Sequence, residues 1–322
     1  MPIVFKKTPE EYVMLYKVVV ILEQTEVIRA VRRMQDYIDE HLSEPISLAQ
    51  LADAAGYSPW HSERIFRAYI DKAPFDYIRS LRLSKAAVEL RDSGPKVVDV
   101  AFDFVFDSHE GFTKAFSKQF GLSPKCYAKS APPIPLFIPF RANDYHQKNK
   151  KGALHMQENK NIIPVFVQVV ERPARKVLLR RAVKAADYFE YCEELGCDIW
   201  GMLTSVKEAL YEPIGMWLPV NMRKSDSSEY VQGVELPLDY AKPVPEGYEL
   251  TEFPPCKMMV FQGPPYEDDD FEEAITDLWA LIKSFNPALY GYAWADADGP
   301  RFQLAPMGYR GYIEARPVRP IN

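Results

Sequence analysis

The sequence has few cysteines, no long apolar run and no histidine in its second half. Disulfide frameworks and zinc sites need clustered cysteine or histidine. We therefore expect neither, nor any other metal or cofactor, and we expect the chain to reside in a reducing cytoplasm. All histidines precede residue 156, and no CxxC spacing occurs among the four cysteines, which are Cys126, Cys192, Cys197 and Cys256.

A membrane-spanning segment is also not expected. The longest apolar run, near residues 12–22, contains Lys17. It is about half as long as the roughly 20 residues that a membrane helix needs. The start of the chain also lacks the basic region and small-residue cleavage site of a secretory signal. No membrane partner is expected.

A net positive charge is missing too, since the chain carries a formal charge of −6. Residues 26–130 are balanced, with 15 Lys and Arg against 15 Asp and Glu, whereas residues 165–322 have 16 against 25. DNA binding by the balanced region requires its positive charges to gather on one face. The candidates are Arg64, Arg67, Arg79, Arg82, Lys85, Lys114 and Lys118.

What the sequence does contain is two helix-turn-helix patterns, at 46–70 and 97–120, joined by a longer helical pattern at 75–93. In the first, Ser47 and Ser58 are good N-caps, and Gly56 suits the positive φ of a tight turn. The N-terminal part of each second helix, at 59–70 and 109–120, would meet base edges in a DNA groove. If the sequence had only one such pattern, these polar residues would be better interpreted as a solvated helix end. The presence of a second copy makes that interpretation less favourable. The candidate DNA-binding residues are Trp60, Glu63, Arg64, Arg67, His109, Glu110, Thr113 and Lys114.

The stretches GYSPWHSERIFR, FDYIRSLRLSKAAVEL and VFDSHEGFTKAFSKQFGLSPKCY resemble the DNA-binding domain of the AraC/XylS family of transcription regulators. The resemblance implies that the middle helix holds two recognition helices about one DNA turn, roughly 34 Å, apart. It also implies transcription activation, with RNA polymerase as a further partner. This sequence has Glu63 and Glu110 where one subgroup often has Gln, so a different operator preference is expected. Val105 replaces the usual turn glycine, which predicts a second motif that is distorted or reads DNA less specifically.

The expected domain organisation is an α-helical domain followed by an α+β domain. Residues 1–25 form an N-terminal extension without an assigned role, 26–130 the DNA-binding domain, 131–164 a proline-rich and polar linker, and 165–322 a second domain. The second domain shows a βαββ pattern twice, which predicts an antiparallel sheet with two helices on one face. Its long strands are predicted at 165–181 and 248–263 and its helices at 186–206 and 271–285. The sheet face opposite the helices is the expected ligand surface.

The second domain, with VQVVERPARKVLLRR, EPIGMWLPV and YRGYIEARPV, resembles GyrI-like effector-binding domains. That resemblance implies binding of bulky, often cationic, aromatic compounds through an acidic residue in an aromatic pocket. The matching acid is Glu314, and strand alternation puts Tyr312 on its side of the sheet. A salt bridge from Glu314 to Arg310 or Arg316 is an equal alternative. The candidate rings, each of which a plain core role would also explain, are Trp217, Trp294, Tyr292 and Tyr266.

These observations favour a transcription regulator, an activator by resemblance, that binds double-stranded DNA and a bulky hydrophobic, in some cases cationic, small-molecule effector. It is expected to be a monomer or homodimer and not an enzyme. Two alternatives concern the second domain. It would be a hydrolase, as some GyrI-like proteins are, with Glu314 and a tyrosine in acid–base roles, or it would sequester a protein partner.

Overall fold

The computed structural model describes residues 26–92, 94, 96–139, 164–196 and 198–321, and no described helix is long and apolar enough to cross a membrane. The N-terminal extension and residues 140–163 of the predicted linker lie outside these ranges. The chain divides into two compact units. Among the described residues the first unit holds 26–90, 96–121 and 139, and the second holds 91–92, 94, 122–138 and 164–321.

Residues 26–130 are helical, as predicted. Buried side chains such as Met34, Leu51, Phe66, Leu81 and Phe116 come from successive helices and form the core. The helices are α1 (26–40), α2 (Leu48–Ala55), α3 (Pro59–Ile70), α4 (Pro74–Asp92), α5 (Val97–Asp103), α6 (His109–Phe120) and α7 (Pro124–Ser130).

Serine caps begin three of the four helices of the two motifs, because a serine oxygen satisfies a backbone N–H that has no partner inside the helix. The exception is α5, whose N-cap is Lys96. Ser47 forms a capping box with Gln50 at the start of α2. Ser58 Oγ accepts from the backbone N–H of His61 at 3.4 Å, and Ser108 Oγ accepts from that of Gly111 at 3.0 Å. The caps predicted at Ser47 and Ser58 are confirmed.

The turns of the two motifs share one backbone geometry. Gly56 ends α2 with φ +73°, and the N–H of the next residue, Tyr57, donates to Ala52 O at 3.1 Å. In the second motif Val105 has φ +60°, and the N–H of Phe106 donates to Ala101 O at 3.0 Å. The second turn therefore has the same hydrogen bond as the first. The expected distortion of this turn is not seen, and Val105, a β-branched residue, instead adopts the unfavourable left-handed conformation.

The second unit contains one antiparallel sheet in the order β1-β6-β9-β8-β3-β4-β2-β5, with β7 paired to β9. Its helices are α8 (Tyr188–Leu195), α9 (Ile199–Thr204) and α10 (Phe271–Ser284). Its strands are β1 (Phe166–Arg172), β2 (Arg175–Arg181), β3 (Ile214–Trp217), β4 (Tyr230–Leu236), β5 (Glu249–Phe253), β6 (Cys256–Gln262), β7 (Tyr292–Trp294), β8 (Arg301–Leu304) and β9 (Ile313–Pro320).

Prolines break both of the long strands that the sequence pattern predicted. The first divides into β1 and β2 at Pro173, and the second into β5 and β6 at Pro254 and Pro255. Proline cannot donate to a strand ladder, so it ends the pairing. Arg175 joins the two breaks, since its Nη1 donates to Pro173 O at 3.2 Å and to Pro254 O at 3.1 Å. The predicted helix at 186–206 likewise divides into α8 and α9.

Both helical layers lie on one face of the sheet, as expected. Leu203 of α9 packs with Leu178 and Tyr230, and α10 packs on Met259 and Phe261. The opposite face is a buried apolar cluster. Its members include Val177, Leu179, Ile214, Met216, Val231, Met258, Phe302 and Ala315.

Part of the predicted linker is packed within the second unit. The side chains of Ile134 and Leu136 are buried. The backbone N–H of Ile134 donates to Ser205 Oγ at 2.8 Å. Gly201 lets the Leu136 carbonyl approach closely, since a Cβ on Gly201 would lie 1.9 Å from that oxygen. We call residues 131–138 the docked segment.

Candidate functional site

Helix α3 presents its predicted DNA-reading side chains to solvent. Trp60 is 69% exposed, and Glu63, Arg64 and Arg67 are exposed beside it, while Ile65 and Phe66 point into the core. The Arg64 guanidinium lies over the Trp60 ring, with Cζ 4.8 Å from the ring centroid. Stacking reduces the freedom of a long side chain, so Arg64 is held at the end of the helix that would meet DNA.

Helix α6 presents a second set of side chains. His109, Glu110 and Lys114 are exposed at its N-terminal half, opposite the buried Phe112 and Phe116. Thr113 is half-buried, and its hydroxyl is enclosed without a hydrogen-bond partner among the described residues. Glu110 lies in the first turn, where a carboxylate is favoured by the helix dipole.

Arg82 differs from the other basic residues proposed to face DNA. Its Nε donates to the carbonyl of Leu42 at 2.9 Å, and its Nη2 donates to that of Glu44. Burial lowers the pKa of Arg82. Arg82 therefore fastens the loop after α1 to α4, so two of its guanidinium nitrogens are engaged within the fold.

The second unit has an open groove of about 980 Å³ on the helix-bearing face of its sheet. Its walls contain two tryptophans and three arginines. Carboxylates of Asp187, Glu229 and Asp296 also reach it. Its lining includes Trp217, Pro219, Val220, Arg223, Trp279, Arg301 and Arg316.

Glu314 lies buried beside this groove, with 1% of its surface exposed. The Trp279 indole Nε1–H, from α10, donates to Glu314 Oε2 at 2.7 Å, and the Tyr312 hydroxyl lies 3.4 Å from the same oxygen. That hydroxyl also donates to Gln303 Oε1 at 2.7 Å. Burial raises the pKa of Glu314 against the opposing charge of Arg301, and it raises the pKa of Tyr312 well above its usual value.

Two arginines of the groove stack on tryptophans. The Cζ of Arg301 lies 3.9 Å from the Trp217 ring centroid, and its Nε lies 3.6 Å from Glu314 Oε1. The Cζ of Arg316 lies 4.5 Å from the Trp294 ring centroid, and Arg316 pairs with Asp296 at 3.2 Å. Rings, guanidinium groups and a buried carboxylate thus meet in one place.

Comparison with known proteins gives the family. A helix-turn-helix domain model matches residues 51–130. The right origin-binding protein of Escherichia coli strain K12 is 30% identical over 265 residues, which cover 81% of this chain and 83% of that protein. The transcriptional regulator Rob of Salmonella typhimurium is 42% identical over the same shares of both chains. The chain belongs to the AraC/XylS family of transcription regulators.

This AraC/XylS regulator also matches shorter relatives through its DNA-binding region. The regulatory protein SoxS of Escherichia coli strain K12 is 38% identical over 91 residues, which cover 28% of this chain and 85% of that protein. Together with the paired motifs, these similarities show that the chain is a DNA-binding transcription regulator. Its DNA partner is double-stranded DNA.

The structure brings together only some of the predicted ligand-binding residues. Trp217 lines the groove, and Tyr312 and Glu314 lie directly beside it. Trp294, Tyr292 and Tyr266 belong instead to the apolar cluster that packs α10 on the sheet. The groove and Glu314 lie on the helix-bearing face, whereas the opposite face, where the ligand surface was expected, is a buried apolar cluster.

The ion pair of Glu314 also differs from both predicted alternatives. Arg310 binds Glu212 at 2.7 Å and Arg316 binds Asp296, so Glu314 pairs with Arg301. Sequence reasoning missed Arg301, Trp279 and Arg316 as site residues. Alternation along β8, which turns Arg301 and Gln303 to one side, was the available signal.

Proposed function

We propose that this transcription regulator senses a bulky hydrophobic small molecule, including positively charged ones, in the groove of its second unit. The observation that carries the proposal is a buried carboxylate, Glu314, held by Trp279 beside open aromatic walls. A ring face contributes about 0.5–2 kcal/mol to binding a cation, in addition to apolar burial. The resemblance to effector-binding domains agrees with this role.

DNA reading is proposed for the exposed side chains of α3 and α6. Arginine pairs with guanine edges or phosphates, and the Trp60 ring offers apolar contact to thymine methyl groups. We further propose activation, with RNA polymerase as a partner, on the family resemblance. A gel-shift titration of the full chain against its own upstream region tests DNA reading. A salt-sensitive, sequence-selective shift is expected, and a shift equal for unrelated DNA would contradict it.

Ligand sensing is tested by thermal shift of the full chain with aromatic dyes and quaternary ammonium compounds. We expect stabilisation by several of them, because a ligand that binds only the folded state raises its stability. Trp217→Ala should reduce the shift, whereas Trp200→Phe, on α9 and outside the groove lining, should leave it unchanged. Equal shifts in both variants would place the ligand elsewhere. Absence of any shift would favour a protein partner.

A hydrolytic second unit is the other candidate function, because Glu314 and the Tyr312 hydroxyl lie 3.4 Å apart. A carboxyl and a phenol so placed suit acid–base chemistry. Glu314→Gln separates the two functions. Weakened binding without any measurable turnover in the wild type supports sensing, whereas turnover that the variant abolishes supports hydrolysis.

A further inference from the structure

The Arg301 guanidinium fills the space between the Trp217 ring and the Glu314 carboxylate. Its Cζ lies 3.9 Å from the ring centroid, and its Nε lies 3.6 Å from Glu314 Oε1. Arg301 and Trp217 are cross-strand partners on β8 and β3, and Glu314 lies on the adjacent β9. The sheet thus places the Trp217 ring, the Arg301 guanidinium and the Glu314 carboxylate side by side. The position between ring and carboxylate, where an organic cation would bind, is occupied by a side chain of the protein itself.

The contact between Arg301 and Glu314 is looser than a hydrogen bond. A separation of 3.6 Å exceeds hydrogen-bond length. Arg301 Nε is enclosed without a hydrogen-bond partner in the described part of the chain. The Arg301 side chain is still 36% exposed to the groove. Stacking and charge attraction therefore hold Arg301 in place, and these are the forces with which an organic cation would compete.

We propose that Arg301 is a specificity-determining residue that occupies the cation position of the groove. A cationic ligand must displace the guanidinium from both the ring and the carboxylate. A neutral ligand of similar shape uses the aromatic walls and leaves Arg301 in place. The groove thereby selects against organic cations that interact weakly with its rings. This inference rests on the proposed ligand-sensing function of the groove.

Arg316 supplies a matched comparison within the same groove. It also stacks on a tryptophan, but its carboxylate partner is Asp296, whose side chain is 63% exposed. An exposed ion pair is screened by water, whereas a buried carboxylate depends strongly on its counter-ion. Removing Arg316 should therefore strengthen cation binding less than removing Arg301 does.

The test measures dissociation constants of two probes with the full chain by calorimetry. The probes are the tetraphenylphosphonium cation and neutral triphenylphosphine oxide. For Arg301→Gln we expect the cation to bind about tenfold more tightly or better, since a like charge within a few ångströms has been removed. Binding of the neutral probe should change less than about twofold. Arg301→Lys, which keeps the charge, should bind the cation as the wild type does. Arg316→Gln should tighten binding of the cation by less than about threefold, because Arg316 is paired with the exposed Asp296 and its charge acts on the Glu314 carboxylate more weakly than that of Arg301 does.

Two further variants secure the interpretation. Arg301→Met keeps an apolar contact with Trp217 and should reproduce the gain if Arg301→Gln folds poorly, as judged by circular dichroism. In the double variant Arg301→Gln with Glu314→Gln, the tighter binding of the cation should be lost. Equal tightening of both probes, or equal gains in Arg301→Gln and Arg316→Gln, would overturn the inference. If the wild type and Trp217→Ala bind the neutral probe equally, or neither binds it, the proposed groove function fails as well.

Discussion

Three individual side chains, at Val105, Arg301 and Arg64, determine most of what the structure implies about function. Val105 adopts a backbone conformation that glycine holds in the first motif, and Arg301 pairs with the buried carboxylate of Glu314 on the neighbouring strand. Arg64 rests on a ring at the end of an exposed helix. Each of these positions gives a measurement that depends on one side chain.

Val105→Gly should stabilise the second helix-turn-helix. A non-glycine residue in the left-handed region costs about 1–2 kcal/mol, and part of the gain is lost to the greater freedom of glycine in the unfolded chain. We expect local opening of α5 and α6 to become harder by about 1 kcal/mol in amide hydrogen exchange of the full chain.

The reverse substitution, Gly56→Val, is the matched control. The Cβ added at Gly56 would meet only the Arg33 guanidinium within 4 Å, at 3.9 Å, so Gly56→Ala, made beside Gly56→Val, isolates the effect of the backbone conformation. Gly56→Val should destabilise α2 and α3 by about 1–2 kcal/mol. Unchanged exchange in Val105→Gly and Gly56→Val would show that the turns tolerate any residue.

Arg64→Ala should weaken binding to the specific operator by about 1–3 kcal/mol, because a bidentate contact with a base is lost. Arg64→Lys keeps the charge and loses the planar fork, so non-specific binding should persist while discrimination between sequences falls. Quantitative gel shifts with specific and scrambled DNA measure both effects. Equal loss on both DNAs in Arg64→Ala would assign Arg64 to phosphate contact instead.

Glu314 should make stability depend on pH. Its folded-state pKa is raised above the usual 4.5, so between these two values the folded chain binds more protons than the unfolded chain. Stability is then lost as pH rises from the usual value through the folded-state pKa. Thermal unfolding across this window should show the decline in the wild type, and Glu314→Gln should reduce it. An identical pH profile in the variant would contradict the assignment.

At the scale of elements, the sequence predicted the helices of both motifs well because their ends carry local signals. The predicted bounds of α3 and α6 agree with the structure, since a serine cap begins each helix. The two long strands were predicted as continuous because their apolar pattern runs across Pro173 and Pro254. The partnership of Trp279 with Glu314 depends on how α10 packs on β9, which no local pattern encodes.

The docked segment gives a prediction of its own. Gly201→Ala should displace residues 131–138, since its Cβ would overlap the backbone of Leu136. The cost of such crowding is about 1–3 kcal/mol. Ser205→Ala removes the hydrogen bond that Ile134 N–H donates to Ser205 Oγ, a loss of about 1 kcal/mol, together with the bond that this hydroxyl donates to Met202 O at the end of α9. Faster hydrogen exchange across 131–138, larger in Gly201→Ala, is expected, and unaltered exchange would mean that the segment packs independently of α9.

At the scale of the whole molecule, charge is divided between the regions. Residues 165–322 have 25 acidic against 16 basic residues, and residues 26–130 are balanced. DNA affinity must therefore depend on a small number of positive side chains. The composition predicted this division, while the structure showed that Arg82 is committed to the fold.

The salt dependence of DNA binding should report those side chains. Lys114 is exposed on α6, and Lys114→Gln should lower the slope of log affinity against log salt by about 1 if it contacts a phosphate. Lys242, which pairs with Glu208 in the second unit, provides the control. Lys242→Gln should leave the slope unchanged, and equal slopes in both variants would remove Lys114 from the DNA contacts.

The breaks at Pro173 and Pro254 have a consequence for how the second unit folds. Each βαββ half contributes one strand to the edge of the other half. From the earlier half, β1 pairs with β6 of the later half, and from the later half, β5 pairs with β2 of the earlier half. The two halves thus exchange strands β1 and β5 within a single chain. Neither half has a complete sheet without the other, so they should melt in one cooperative transition, and a half expressed alone should not fold.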